Sequence, residues 1–311
     1  MKKILVTGGA GFIGSTLVSV LSNTGRYSLT VIDNLSTGKI DNIKNILNVN
    51  FVKCDVNRFD DVSGVFYSSR FDYVFHFAAV VGVQRTLANP VSVLEDIEGI
   101  RNILLLSKNT GVRKIFFASS SEVYGEPVSL PQHEYSTPLN SRLPYAIVKN
   151  VGEAYCRSFY REYGLKYQIL RFFNTYGPRQ SSDFVVSRFL SAALNGTDIT
   201  IFGDGSQTRT FCFIDDNIDC IVKLICDEQL SYETVNIGSD ICVTILELAR
   251  LVIKLTGSTS RVIHLEALKE GDMSRRQPDN QIMMQILDRP LVSLESGLGR
   301  ILTSWTQIPQ H

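Results

Sequence analysis

The chain has no net charge to spare, no long apolar run and no paired-cysteine motif, and each absence removes a class of function. Lys and Arg number 31 and Asp and Glu number 31, giving a formal net charge of +0, and the two signs are scattered rather than blocked. That excludes an electrostatic case for nucleic acid or for an anionic membrane surface as partner. No segment is apolar for long enough to cross a bilayer. The apolar run after Met1-Lys2-Lys3 stops at Thr7-Gly8-Gly9, far short of a secretory core segment. The six cysteines, Cys54, Cys156, Cys212, Cys220, Cys226 and Cys242, form no CxxC or metal-like cluster, and most lie in apolar surroundings. Free buried thiols in a reducing, cytoplasmic compartment are expected, with no bound metal. The triplet Asn195-Gly196-Thr197 then carries no meaning as a glycosylation site. Internal repeats, low-complexity tracts and long linkers are also missing.

At 311 residues the chain suits one large α/β domain with a smaller lobe. Its N-terminus is its most specific feature. Strand-like Ile4-Leu5-Val6 runs into Thr7-Gly8-Gly9-Ala10-Gly11-Phe12-Ile13-Gly14, where glycines at 8, 11 and 14 make a G-x-x-G-x-x-G loop ahead of an apolar helix starting near Phe12. Glycine suits a turn of unusual φ, and it lets backbone amides approach a pyrophosphate closely. The helix presents its first amides and positive dipole end to the phosphates. A second strand, Leu29-Thr30-Val31-Ile32, ends in Asp33-Asn34, at the distance where an acidic residue takes an adenosine ribose hydroxyl. A carboxylate there repels a 2′-phosphate, and no arginine follows directly. The pattern predicts NAD rather than NADP, with Lys39 as the feature that pulls the other way.

Short apolar runs at Ile4–Val6, Leu29–Ile32, Asn50–Lys53, Tyr73–Phe77, Lys114–Ala118 and Tyr167–Phe172 alternate with helical patterns. Strands at that spacing predict a Rossmann doubly wound parallel sheet with helices on both faces. From about residue 175 the texture changes, with a helix over Phe184–Asn195, a strand at Ile199–Phe202, a turn at Gly203–Gly205, a strand at Val235–Gly238 and a helix over Thr244–Leu255. Residues 258–311 mix loops and short helices. The expected division is a NAD-binding domain over 1–174, with 213–238 returning to it, and an interleaved α/β substrate lobe over 175–212 and 239–311.

The fifth strand ends in Ser119-Ser120-Ser121-Glu122-Val123-Tyr124-Gly125, which puts hydroxyls and a carboxylate at the carboxyl edge of the sheet. Further on, Pro144 fits the first turn of a helix, so Tyr145 and Lys149 share a face at i and i+4. A tyrosine that works as a base near neutrality needs its pKa lowered by about 3 units from 10, or roughly 4 kcal/mol. A neighbouring ammonium and the positive charge of oxidised nicotinamide favour the phenolate. A serine hydroxyl from 119–121 would align the substrate alcohol, with Ser121 or Ser120 in that role. The alternative for Tyr145 and Lys149 alone is an ordinary exposed helix pair, and for the glycine loop an ordinary turn.

Taken together, TGGAGFIG, Asp33, Cys54-Asp55-Val56, His76-Phe77-Ala78-Ala79, SSSEVYG, Tyr145-x-x-x-Lys149, Arg171-Phe172-Phe173-Asn174-Thr175-Tyr176-Gly177-Pro178-Arg179, Gly203-Asp204-Gly205-Ser206-Gln207-Thr208-Arg209, Asp215-Asp216 and Asn236-Ile237-Gly238 resemble the extended short-chain dehydrogenases that modify nucleotide sugars. The likeness covers nearly the whole chain. It implies that Gly8, Gly11, Phe12, Ile13, Asp33, Asn34, Asp55, Val56, Ala78, Ala79, Ser119, Tyr145, Lys149 and Phe172 contact NAD. It implies a substrate side formed by Val83, Asn174, Arg179, Val185, Phe202, Arg209 and Arg276. Asp55 and Val56 would flank the adenine, Asn174 would hold the sugar or its phosphate, and Arg209 with Arg275 or Arg276 would bind the diphosphate. Phe202 and the helix from Phe184 would enclose the base. Arginine donors fit that task, since their fork matches phosphate geometry.

Family members share oxidation at sugar C4 and diverge afterwards. The reading from sequence places a UDP-hexose 4-epimerase first, then a UDP-glucuronate decarboxylase, then a 4,6-dehydratase; a NAD-binding sensor or scaffold is the non-enzyme alternative. Glu122 beside Ser121 resembles the decarboxylases and some dehydratases, and Arg276-Gln277-Pro278-Asp279 resembles the decarboxylases. The loop Val80-Val81-Gly82-Val83-Gln84 is closer to epimerase-like members. Asp96 stands where relatives often carry asparagine, and it would add negative charge near the nicotinamide. The tail from Asn280 to His311 lacks the usual Gly-Trp pattern. The resemblance implies a homodimer in which the apolar helices near 91–108 and 145–163 pair with their copies in a four-helix bundle; the alternative is that they simply cover the sheet.

Overall fold

The computed structural model describes residues 1–82, 86, 88–227, 233–266 and 275–306. The candidate Val83, and Gln84 beside it, lie outside the described residues.

Six strands come from the runs of β-branched and aromatic residues: β1 (Lys2–Thr7), β2 (Tyr27–Asp33), β3 (Val49–Lys53), β4 (Tyr73–His76), β5 (Lys114–Ser120) and β6 (Lys166–Phe172). Helices α1 (Phe12–Asn23), α2 (Phe59–Ser68), α3 (Pro90–Thr110) and α4 (Pro144–Tyr163) separate them. With β11 (Thr234–Ile237) the strands form a seven-stranded sheet in the order β11-β6-β5-β4-β1-β2-β3, and the ladders joining β6, β5, β4, β1, β2 and β3 are all parallel. Strand order reverses on either side of β1, so its carboxyl end and that of β4 mark the switch point where ligands of such sheets bind. Leu5, Ile32, Val74, Ile103, Phe117 and Val148 form part of the buried core beside this sheet.

The chain makes two compact units. The first comprises 1–123, 139–172 and 224–235; the second comprises 124–138, 173–223 and 236–311. The second unit holds α5 (Val185–Leu194), α6 (Ile214–Cys226, up to Lys223), α7 (Ile245–Thr256), α8 (Gln281–Leu287) and α9 (Leu294–Thr306). Its strands pair in twos: β7 (Thr175–Tyr176) with β10 (Cys212–Phe213), β8 (Ile199–Phe202) with β13 (Val262–Leu265), and β9 (Thr208–Thr210) with β12 (Cys242–Thr244). Helix α7 starts at a reciprocal cap. The Glu247 N–H donates to Thr244 Oγ1 at 3.1 Å, and the Thr244 N–H donates to Glu247 Oε2 at 2.8 Å.

Pro144 occupies the first turn of α4, where a missing N–H costs nothing, and Gly164 ends the helix in the left-handed region. Tyr145, Lys149 and Glu153 follow at four-residue intervals and therefore form one stripe on α4. Glu153 is fully buried. Its carboxylate accepts from Ser119 Oγ on β5 at 2.7 Å, from Arg171 Nε and Nη2 on β6 at 2.8 and 2.7 Å, and from Arg157 Nη2 at 3.0 Å. Burial alone would raise the Glu153 carboxyl, but the Arg171 bonds and charge outweigh it and hold the group below the usual range. The six cysteines are free thiols, and burial pushes Cys54 up to about 11 and Cys220 up to about 12. Among the described residues no helix is long and apolar enough to cross a membrane, and no cluster of His, Cys, Asp and Glu could hold a metal ion.

Removing one partner from a buried ion pair strands the other. Glu153→Ala is expected to cost ~3–5 kcal/mol of stability, read as a lower denaturant midpoint. A loss below about 1 kcal/mol, the range of a surface pair, would show that the network is not a structural clamp.

Candidate functional site

In the first unit the glycine loop leaves β1 at Gly8, whose φ of +66° lies in the left-handed region. A Cβ there would stand 2.6 Å from the Ala78 nitrogen, so only glycine lets this loop lie against the strand end beyond β4. Gly11 caps α1, and the first-turn amides that follow, including those of Phe12 and Ile13, have no acceptor of their own within the helix. A close-packed glycine turn that leads into a helix N-terminus with no side-chain cap fits a dinucleotide pyrophosphate.

Asp33 ends β2 and is almost wholly buried. The Ala10 N–H donates to its Oδ2 at 3.0 Å and the Leu35 N–H to its Oδ1 at 2.8 Å, so the carboxylate ties the glycine loop to the turn after β2. Burial raises this carboxyl while the two backbone bonds act against the rise. Each oxygen keeps a further acceptor position for a ribose hydroxyl. Asn34 and Lys39 are exposed. Asn34 Nδ2 donates to Asp55 Oδ2 at 3.4 Å, and Asp55 Oδ1 accepts the Asn57 N–H at 3.0 Å, which places Asp55 and Val56 on a braced turn after β3.

Thr7 organises the opposite side of the switch point. Its Oγ1 accepts the N–H groups of Phe77 and Ala78 at 3.2 and 3.1 Å and lies 2.9 Å from His76 Nδ1. The Phe77 N–H is shared with the Thr7 carbonyl at 3.2 Å, so Thr7 ties the strand end after β4 to β1 through both its backbone and its side chain. Burial, aided by the Lys149 charge, pushes His76 down to about 3, and the ring is neutral. Ala78 and Ala79 follow on this fixed segment.

Tyr145 is half-buried against the core that also holds Ala78 and Val80. Lys149 is buried, with its Nζ 5.6 Å from the Tyr145 ring centroid and 5.3 Å from that of Phe117. Burial lowers its ammonium from 10.5 to about 8, and the Asp96 carboxylate pulls it back up. Ser119 and Ser120 end β5, while Ser121 and Glu122 enter a short 3-10 turn, Ser121–Tyr124. The three serines differ. Ser119 gives its proton to Glu153, Ser120 Oγ accepts the Glu122 N–H at 3.2 Å, and Ser121 is buried. Phe172 ends β6 with its ring edge-on to Phe77. The first unit thus brings Tyr145, Lys149, the serines and Glu122 onto adjacent carboxyl ends and one helix face.

In the second unit Asn174 Nδ2 donates to the Thr210 carbonyl at 3.0 Å beside β9. Arg209 lies on β9 opposite Val243 of β12; it is buried, and its Nη1 donates to the Thr208 carbonyl at 2.8 Å. Arg276 is likewise buried, in the segment where Gln132 pairs alongside Pro278. Burying two guanidinium groups is costly unless an anion or carbonyl meets them. Val185 begins α5 and Phe202 ends β8, both half-buried, whereas Arg179 is exposed with a φ of 69°. The reading from sequence passed over Arg188. Its guanidinium sits 5.7 Å from the Phe202 and Phe189 ring centroids, and burial lowers its pKa. An arginine one helical turn after Val185, on an otherwise apolar stripe, was the available signal.

The model of the NAD dependent epimerase/dehydratase family matches residues 4–238. The chain is 35% identical to UDP-N-acetyl-alpha-D-glucosaminuronate decarboxylase of Bacillus cytotoxicus, over 99% of this chain and 98% of the relative. It is 35% identical to UDP-glucuronic acid decarboxylase 1 of Danio rerio, over 100% of this chain and 74% of the relative. The crystal structure of UDP-glucose 4-epimerase from Thermotoga maritima, with UDP-glucose, superposes with a TM-score of 0.92 at 34% identity, covering 98% of this chain and 99% of that one. The chain belongs to the NAD dependent epimerase/dehydratase family, as a nucleotide-sugar enzyme with the Rossmann fold and with NAD as its cofactor.

Proposed function

We propose that this protein decarboxylates a UDP-linked uronic acid through a ketone at sugar C4. The observation that carries the reading is Glu122, a carboxylate next to the buried Ser121, in the same unit as Tyr145 and Lys149. The names of the two decarboxylase relatives support it. They move decarboxylation ahead of the 4-epimerase that the sequence placed first.

Bound NAD supplies reversible oxidation of the C4 alcohol. Tyr145 takes the proton of the C4 hydroxyl, and the nearby Lys149 ammonium favours the phenolate that does so. The Ser121 or Ser120 hydroxyl aligns the alcohol with this base. A C4 ketone stands β to the C6 carboxylate, so the C5–C6 bond breaks with its electron pair passing into the carbonyl. Carbon dioxide leaves, and the Glu122 carboxyl group, which lies beside the aligning serine, delivers the proton that C5 needs. Tyr145 returns its proton when the C4 alcohol is restored. The balance is one uronate and one proton in, one pentose and one carbon dioxide out, with the cofactor unchanged.

The second unit supplies the handle. Arg209 and Arg276 bind the diphosphate, Asn174 the sugar or its phosphate, and Val185 with Phe202 the uracil; Arg179 is the more peripheral contact. The second reading is a UDP-hexose 4-epimerase, favoured by the Thermotoga structure and by the Val80–Gly82 loop. Among 4,6-dehydratases, the dTDP-glucose enzymes are disfavoured by Ser121, which stands where the family resemblance implies an aspartate ahead of Glu122. A sensor or scaffold would not need the full Ser, Tyr and Lys set.

We further assign the protein to the cytoplasm, in keeping with its free thiols, and to a homodimer. Helices α3 and α4 pack along each other and expose Val91, Leu94, Ile147, Tyr160 and Tyr163. Sedimentation at micromolar concentration is expected to give a dimer; a monomer at all concentrations contradicts that assignment.

Incubation with NAD and a panel of UDP-glucuronate, its 2-acetamido analogue and UDP-hexoses, followed by NMR, is expected to show a UDP-pentose and released carbon dioxide. A C4-inverted product without carbon dioxide would replace decarboxylation by epimerisation, and no product from any sugar would remove the enzymatic reading. Glu122→Gln should slow carbon dioxide release by ~10²–10⁴-fold, the usual worth of a general acid. Tyr145→Phe should stop turnover on every substrate.

A further inference from the structure

Arg188 is a half-buried cation to which the reaction just described gives no part. It stands three residues after Val185, so the two share a face of α5. Its guanidinium carbon lies 5.7 Å from the ring centroid of Phe202, at the end of β8, and 5.7 Å from that of the fully buried Phe189. Val185 and Phe202 are the two residues assigned to the uracil. Arg188 neighbours the first on the helix and meets the ring of the second, and all four residues belong to the second unit.

Several features make a guanidinium costly at this place. Its Nε is closed off from solvent and makes no hydrogen bond. Among the described residues no carboxylate is paired with it, and burial alone moves its pKa, downward. It also sits at the end of the opening turn of α5, the positive end of the helix dipole, where a cation is disfavoured. Phe184 at the N-cap supplies no side-chain acceptor, and the first turn holds no acidic residue. The two rings attract the charge, but they offer no lone pair to a group with five N–H donors. An arginine that only covered the apolar side of α5 would carry its head out into water. This one keeps Nε inside, against a ring from another element, and its unmet donors suit an acceptor carried by a ligand.

We propose that Arg188 reads the base of the nucleotide sugar, donating through its guanidinium to a carbonyl oxygen of the uracil held by Val185 and Phe202. The proposal rests on the assignment of those two residues to the base and adds the charged group that makes the site selective. Uracil fits the chemistry. It is planar, as an aromatic neighbour requires, and its C2 and C4 carbonyls are acceptors, with no exocyclic amine to oppose a fork that only donates. A hydrogen bond from a charged donor is the stronger kind, and exclusion of water strengthens it further.

The test is calorimetric titration of the NAD-bound protein with UDP, 2-thio-UDP and 4-thio-UDP, in the original protein and in Arg188→Met, with thermal unfolding as the check on folding. Arg188→Met is expected to weaken UDP binding about 10–100-fold, the worth of one hydrogen bond to a charged group. Sulfur is a weak acceptor, so the original protein should bind one of the two thio analogues more weakly than UDP, and that discrimination should vanish in Arg188→Met. A role confined to packing would not couple to a single atom of the base. Folded Arg188→Met that binds UDP as tightly as the original overturns the proposal, as does an original protein indifferent to both sulfur substitutions or a discrimination that survives in Arg188→Met. Phe202→Ala separates this inference from the reading beneath it. If Phe202→Ala weakens UDP and Arg188→Met does not, Arg188 alone is misassigned; if neither weakens it, the base site itself is misplaced.

Discussion

The buried carboxylate of Glu153 is the constraint on which the rest of the first unit depends. It takes bonds from Ser119 on β5, from Arg171 on β6 and from Arg157 on its own helix. A buried ion pair contributes little net stability beside an apolar alternative, but it imposes geometry, because a slipped register would leave a charge unpaired. Here the geometry imposed is the rotation of α4. With Glu153 pinned, the residues four and eight positions earlier on the same stripe, Lys149 and Tyr145, must face the same way. The pair proposed to react is therefore aimed by a salt bridge that touches neither of them.

That aim places an ammonium where it is expensive. Lys149 is buried, and burial lowers its pKa to about 8, with the Asp96 carboxylate acting against the fall. His76, equally buried, answers by staying neutral, with its Nδ1 hydrogen-bonded to Thr7, which holds the Ala78 backbone. The first unit thus combines a costly buried ammonium with a silent imidazole. In the second unit Arg209 and Arg276 are buried, and the Arg209 guanidinium donates to the Thr208 carbonyl.

Much of this was legible from the residues. The six strands were visible because parallel strands buried on both faces read as unbroken apolar runs, and each matched a strand in the sheet to within a residue or two. The glycine loop and the i,i+4 spacing of Tyr145 and Lys149 were visible because local geometry alone demands them. Contacts across the sequence were not. Nothing in Ser119 shows that its proton goes to Glu153, 34 residues on, and the three serines look alike until the strand end separates them. Residues 124–138 join the second unit through such links. Tyr124 donates to Asn236 Oδ1 at 2.7 Å, and the Asn236 side chain donates to the carbonyls of Gln132 and Asp279, pairings no periodicity signals. Asp96 stood out as a departure, but its bond to Val80 required the fold.

The proposed function assigns oxidation at sugar C4 to residues on α4 and the choice of product to the few groups at the end of β5. Both presuppose that Lys149 is a buried cation poised to lose its proton near neutrality. Isotope labelling of the lysine side chains, with Lys149→Met to assign the signal, allows that titration to be followed by NMR. The Lys149 amine should titrate at about 8, well below an ordinary lysine. Titration at the ordinary value near 10.4 would contradict the account, because the group would then be a solvated surface charge.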